Sequence, residues 1–528
     1  MNEPSRPAGP SGGLDQHDAW VVAYPDHVTT EGATPLRTLA AFIDDVLHPV
    51  ISGCHVLPLH PSSGDGGFSV IDASVVEPSF GSWADVERLA ADCAWMADAV
   101  VNHVSVHSAW FRAFLAGEAP YDRYFATLDP AVDASAVTRA RSSPLSHPFV
   151  RPDGRVAHVW TTFSADQADV DYTEPAVVAA MTDMVLRYAR HGAAAIRLDA
   201  VGFVGKDPAT SSLNLPAAHA VVAAFRRALD TVAPDVLLIT ETNVPQHENV
   251  AYLAPGEADA VYQFALPPLV AHAVLAADTS VLAGWLDTLV FPAPPKTFLN
   301  FLASHDGVGL RPVEGLLDDR QVRVLMDATV GVGGVVNERT DVDGNSRPYE
   351  LAVSWFSLMS AGSRAARPVD SASTVARHLA AHAIALAVRG LPLLYVNSLF
   401  GVANDDDAYA RTGHARDLNR GRLRRPDIDE ALVHPHSVAA QVWTGLRVML
   451  ERRAASPAFH PASDQIVHRT DRRALMIERV AATGERALVV VNVAGEEYAV
   501  TLPAGDWGHG GPVTLASWET RWLFSGAG

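Results

Sequence analysis

Eight short apolar runs recur along this chain, with helical patterns between most of them. The runs fall at residues 21–24, 53–57, 96–101, 194–198, 236–240, 260–264, 297–302 and 392–395. Runs this short and this apolar read as strands covered on both faces. The segments 83–95, 177–190, 217–231 and 374–389 space their apolar residues three and four apart, as a helix lying on a sheet does. Eight strands alternating with helices predict an α/β fold, the (β/α)8 barrel.

Two interruptions and two ends complete the expected layout. The gap at 104–173 holds Pro144, Pro148 and Asp153-Gly154 and few periodic runs, which predicts an inserted subdomain after strand three. A second insertion, 308–359, follows strand seven. Short β-prone runs at 466–469, 474–479, 487–491, 498–502 and 522–524 predict a C-terminal antiparallel β domain over 455–528. The barrel proper then takes 19–103 and 174–454. Residues 1–18 are rich in Pro, Gly and Ser and read as a disordered tail, not a signal peptide.

Charge and cysteine content narrow the function. Across 528 residues the formal net charge is −20, which argues against nucleic acid or an anionic membrane surface as partner. No apolar run is long enough to span a bilayer. Cys54 and Cys93 are too few for a disulfide framework. A soluble cytoplasmic protein is expected, with a homodimer left open.

Chemistry in such a barrel gathers at the C-terminal ends of the strands. The fourth run ends Arg197-Leu198-Asp199, and the alternation puts Arg197 and Asp199 on one side. A cation beside a carboxylate holds it ionised, as a nucleophile requires. Taken alone, this pair reads equally as a structural ion pair. The third run, however, leads to Asn102-His103, the fifth to Glu241 and the seventh to His305-Asp306. Three carboxylates and two imidazoles thus stand at strand ends.

This order resembles the four signature regions of the α-amylase superfamily of retaining glycosidases and transglycosylases. The resemblance implies that Asp199 is the nucleophile, Glu241 the general acid/base, and Asp306 a stabiliser of the transition state. It also implies that His103 and His305 bond hydroxyls of the first sugar. Retention by double displacement uses two carboxyl groups about 5–5.5 Å apart. The acid among them needs a pKa raised by burial and nearby negative charge.

Further segments narrow the resemblance to the sucrose phosphorylase branch, and within it to the glucosylglycerate phosphorylases. They lie at 64–72, 159–167, 240–249, 263–268, 303–309, 348–351, 397–401 and 412–420. By this resemblance Asp65 and Arg420 form a charge pair that closes the pocket behind one glucose ring. Phe68 and Phe163 flank that ring, and Gln167 and Arg197 belong to the same site. Tyr349 and Glu350 lie in the loop lining the acceptor side. The implied reaction is reversible phosphorolysis of 2-O-α-D-glucosylglycerate to α-D-glucose 1-phosphate and glycerate. Inorganic phosphate is the co-substrate, and no cofactor or metal is implied. Phosphorylases of sucrose, sucrose 6-phosphate or glucosylglycerol, or a small α-glucoside hydrolase, are the alternatives.

An anion site is also expected from charge alone. Arg411, His414, Arg416, Arg420, Arg422, Arg424 and Arg425 cluster in an otherwise acidic chain, with Arg339 and Arg347 in the second insertion. Arginine suits phosphate and carboxylate oxygens. The alternative, a solvated charge run with Asp405, Asp406 and Asp407 as local partners, stays open for 422–425. His103 and His107 have helical spacing but lack the further ligands of a zinc site.

Overall fold

In the computed structural model, residues 13–141, 143–340, 346–362, 369–508 and 511–525 are described. Eight parallel strands close into a barrel: β1 (Trp20–Ala23), β2 (Gly53–Val56), β3 (Ala94–Val100), β4 (Ala195–Asp199), β5 (Leu237–Thr240), β6 (Ala260–Tyr262), β7 (Thr297–Asn300) and β8 (Leu391–Tyr395). Each strand pairs with its sequence neighbour, and β8 pairs with β1 to shut the ring. All eight expected strands are present. The helices Trp83–Asp92, Pro175–Arg190, Pro216–Val232 and Ser371–Ala387 occupy the segments where helical periodicity was expected.

Strand parity sorts the side chains. Trp20 and Val22 of β1 join Met96, Val100, Ala195, Ile239, Leu299 and Leu393 in the barrel interior. Val21 and Ala23 pack outward, in the layer shared with the helices. Because Met96, Val100 and Ala195 point inward, so do Asp98, Arg197 and Asp199, which share their parity. Charged residues therefore enter the upper barrel as a consequence of the two-residue repeat.

Between β3 and β4 lie two small antiparallel pairs, the first beginning one residue before the expected boundary at 104. His103–Ser105 pairs with Gln167–Asp169, and Ser146–Val150 with Val156–Trp160. After β7, a three-stranded sheet places Ser346–Ala352 between Val308–Gly309 and Val335–Thr340, with helix Asp319–Gly331 in the connection. The C-terminal sheet runs in the order Asp464–His468, Ala474–Val480, Arg486–Asn492 and Thr520–Ser525. Buried Arg479 donates to the Ala387 carbonyl, and buried Arg453 donates to the carbonyls of both Gly390 and Phe459, which fastens the region after residue 455 to the barrel.

The expected tail boundary at residue 18 is too late. Arg453 donates to the carbonyls of Gln16 and Asp18, and Asp18 accepts from Ser52, so residues 16–18 are anchored. Residues 1–12 lie outside the described residues. No described helix is long and apolar enough to cross a membrane.

Candidate active site

The strand ends converge on one cavity. Asp199, Glu241 and Asp306 all line it, with Asp65, Phe68, His103, Phe163, Gln167, His305, Tyr349, Glu350 and Arg416. Of the residues expected in the site, Arg197 and Arg420 are not among those lining the cavity; Arg197 donates to Asp199 and Arg420 to the His305 carbonyl.

Arg197 organises the floor. Its Nη1 donates to Asp98 at 2.7 and 2.9 Å and to Asp199 Oδ1 at 2.8 Å. Its Nη2 lies 3.9 Å from Glu241 Oε2. Burial opposes the Arg197 charge, but Asp98, Asp199 and Glu241 more than offset it and raise its pKa well above the usual value. Asp98 sits opposite Arg197 in the β3–β4 register and also bonds His55 Nε2 at 3.0 Å. Two interior-facing residues on adjacent strands thus meet as a buried pair. That register was the one available signal for Asp98, which sequence reasoning missed.

Ala200 follows the nucleophile candidate in a left-handed conformation, φ 52°. Such backbone is strained for a residue with a Cβ and is found where function needs it. The Ala200 amide donates to Glu241 Oε2 at 3.0 Å. Burial pushes the pKa of Glu241 up; Arg197 opposes this, and Asp306 and Asp98 add to it. Burial raises Asp199 as well, against Arg197 and with the neighbouring carboxylates. Asp199 holds the 2.8 Å charge-assisted bond and Glu241 only the distant edge of Arg197, so the proton belongs on Glu241.

The far wall is built by three segments. Asp65 accepts from Arg141 Nη2 at 2.9 Å and from Gln167 Nε2 at 3.2 Å. Gln167 Nε2 also lies 3.0 Å from His103 Nε2. Burial disfavours the Asp65 carboxylate, but Arg141, Arg416 and Arg420 pull its pKa far below the usual range. The expected Asp65–Arg420 ion pair is not formed: Arg141 takes Asp65. Arg420 instead donates to the His305 carbonyl at 2.9 Å, and its guanidinium lies 5.9 Å from the Tyr24 ring centre. Arg141 lies in a stretch without periodicity and carried no sequence signal. Gly66, next to Asp65, is required: φ is 61°, and a Cβ there would fall 2.4 Å from Arg420 Nη1.

Aromatic rings cover the faces. Phe68 stacks on His305 with centroids 4.9 Å apart, and Arg197 lies 5.8 Å from the Phe68 centroid. Phe163 leans on His103 at 5.2 Å. Burial, first, then Arg197 and Arg420, hold His305 well below the usual imidazole pKa, and its buried Nδ1 has no partner among the described residues. Burial likewise lowers His103. Both imidazoles are neutral at pH 7 and able to donate or accept.

The expected arginine rim is largely consumed by acids. Arg416 lies 2.5 Å from Asp306 Oδ1 and grips Glu350 with bonds of 3.1 and 2.7 Å. Arg422 pairs with Asp26, Arg424 with Asp427, Arg425 with Asp429 and Asp45, and Arg339 with Glu314. The arginines of 422–425 are thus ion-paired, but to Asp26, Asp45, Asp427 and Asp429 and not to the expected Asp405, Asp406 and Asp407. Arg416 is a brace between Asp306 and Glu350.

A lysine occupies the oxygen cluster beside strand three. Lys206 donates to Asn102 Oδ1 at 2.8 Å, to the Phe203 carbonyl at 2.6 Å, and to Asp169. It joins the end of β3, the turn after β4 and the Gln167–Asp169 strand. Among the described residues no group of three or more His, Cys, Asp or Glu is placed to hold a metal ion.

The likenesses to known proteins agree with this geometry. The family model "Alpha amylase, catalytic domain" matches residues 50–284. Glucosylglycerate phosphorylase of Allomeiothermus silvanus is 40% identical over 97% of this chain and 92% of its own length. Its Escherichia coli counterpart is 36% identical over 96% and 92%. Sucrose phosphorylase of Agrobacterium vitis is 29% identical over 83% and 88%. The crystal structure of sucrose 6F-phosphate phosphorylase from Thermoanaerobacter thermosaccharolyticum shares the fold, with TM-score 0.80 at 22% identity, over 98% of this chain and all of that one. The chain belongs to the α-amylase family, in the group formed by the glucosylglycerate phosphorylases.

Proposed function

We propose that this enzyme catalyses reversible phosphorolysis of 2-O-α-D-glucosylglycerate through a covalent glucosyl–enzyme. The observation that carries the reading is the asymmetric carboxylate pair: Asp199 bonded to Arg197 at 2.8 Å, Glu241 standing 3.9 Å from the same guanidinium.

Glu241 gives its proton to the glycosidic oxygen as that bond breaks. Asp199 attacks the anomeric carbon, a carboxylate ester forms, and glycerate leaves. In the second half a phosphate oxygen attacks the same carbon. Glu241, now a carboxylate, accepts the phosphate hydroxyl proton. The ester breaks, Asp199 is regenerated, and two inversions give α-D-glucose 1-phosphate. Asp306, braced by Arg416, faces the glucosyl site with His103 and His305 and bonds its hydroxyls. Asp65 and Arg141 block extension beyond one ring, which supports action on small glucosides. Phe68 and Phe163 exclude water and place π density beside the cationic centre.

The test supplies α-D-glucose 1-phosphate with glycerate, fructose, fructose 6-phosphate or glycerol and follows phosphate release. Release fastest with glycerate supports the reading. Release independent of acceptor would make the enzyme a hydrolase, and a preference for fructose would move it to the sucrose type.

A further inference from the structure

Three arginines line the cavity: Arg141, Arg311 and Arg416. Arg141 is neutralised by Asp65, and Arg416 by Asp306 and Glu350. Arg311 has no carboxylate within ion-pair distance among the described residues; Glu314, the nearest acid in sequence, is held by Arg339 at 2.8 Å. Burial, then the Arg339 charge, press its guanidinium below its usual pKa. A half-buried cation under that pressure is relieved by an anion.

Its position says which anion. Arg311 opens the turn Arg311–Val313, two residues beyond Gly309. A Cβ at Gly309 would fall 2.7 Å from Asn243 Nδ2, so the glycine lets the Asn243 amide lie against this strand. Asn243 is two residues from Glu241, lines the same cavity, and has a buried Oδ1 with no partner among the described residues. The Leu310 amide donates to the Tyr349 carbonyl at 2.9 Å, which ties the turn to the Tyr349–Glu350 strand. The Gly309–Asn243 contact and the Leu310–Tyr349 bond place this turn beside the segment that carries Glu241, and Arg311 lines the same cavity. The leaving oxygen must lie on the side of the acid that protonates it.

Resting on the function proposed above, we propose that Arg311 is the residue that selects an anionic acceptor. Its guanidinium receives the glycerate carboxylate in one half-reaction and phosphate oxygens in the other. Both nucleophiles approach the same face of the anomeric carbon and must use one subsite in turn. Asn243 Oδ1 accepts from the C3 hydroxyl of glycerate. A neutral acceptor gains nothing from Arg311.

The experiment uses α-D-glucosyl fluoride, a donor with neither phosphate nor carboxylate, and two acceptors competing in one tube. Product ratios then do not depend on how much of a variant is active. For R311A the glucosylglycerate to glucosylglycerol ratio falls about tenfold or more, the scale of a lost hydrogen-bonded charge pair. R311K recovers part of it, since lysine keeps the charge without the fork. The glucose 1-phosphate to glucosylglycerol ratio, with phosphate replacing glycerate, falls likewise. A parent enzyme that makes no glucosylglycerate overturns the acceptor assigned above. A parent that makes it, with an R311A ratio within about twofold of its own, overturns the role of Arg311 alone. A fall confined to glycerate overturns the shared-subsite half.

Discussion

Replacing Lys206 by Met probes how the inserted region is held against the barrel. The Lys206 side chain is 9% exposed and Asp169 is fully buried. Methionine keeps the length of the chain and removes the charge. Asp169 would keep its bonds from Thr162, namely the backbone amide at 3.2 Å and the hydroxyl at 2.5 Å, but lose its only counter-ion among the described residues. Breaking a buried pair from one side costs about 3–5 kcal/mol. Asn102 Oδ1 and the Phe203 carbonyl lose a donor too, at about 1–3 kcal/mol for a buried orphan, not fully additive. At roughly 2–4 °C per kcal/mol for a large domain, the midpoint falls by about 6–20 °C. Gln167 lies on the strand released with Asp169, so the glucose 1-phosphate KM rises as well. Thermal unfolding followed by tryptophan fluorescence, with steady-state kinetics below the transition, reads both effects. The double variant K206M/D169N leaves no unpaired charge and regains part of the loss. A K206M midpoint within about 2 °C of the parent, or a double variant no better than the single, would refute the reasoning.

Three further outcomes follow from the site. E241A slows phosphorolysis of glucosylglycerate by about 10²–10⁴-fold but spares glucosyl–enzyme formation from α-glucosyl fluoride, whose leaving group needs little proton help; equal losses with both donors, read by glucose 1-phosphate formation from the first and fluoride release from the second, contradict the acid role. Glu241 must be protonated to start the reaction and its pKa is raised by burial, so kcat/KM for glucosylglycerate declines as pH rises through that raised value. The acid limb appears where Asp199 takes a proton, and a pH profile with no alkaline limb would count against the assignment. R425A, whose partners Asp429 and Asp45 are both exposed, changes stability by about 0–1 kcal/mol and leaves the phosphate KM unaltered; a large rise in that KM would restore the arginine rim as the anion site.

The barrel was legible because each strand is a short apolar run between helical segments, and the three carboxylates because each ends such a run. Asp98 was visible only through register, since nothing in 96–101 says that residue 98 lies opposite residue 197 until β3 and β4 are paired. Arg141, Asn243, Arg311 and Lys206 come from connecting segments and Asp169 from a three-residue strand of the inserted region, where position follows tertiary packing and not a local period. The Asp65–Arg420 pair was expected from a resemblance in residue type; the structure gives Asp65 a partner from the inserted region instead. Arginine clustering misled for a related reason. Composition counts cations, whereas availability depends on neighbouring acids, and Asp306 and Glu350 had already taken Arg416.

Covalent capture is the decisive measurement. E241Q is mixed with α-D-glucosyl fluoride, quenched, digested and analysed by peptide mass spectrometry. The account predicts a gain of one hexosyl residue on the peptide carrying Asp199, absent in the D199N/E241Q double variant. A hexosyl group on any other residue, or turnover without a trapped species in rapid-quench samples, would contradict it.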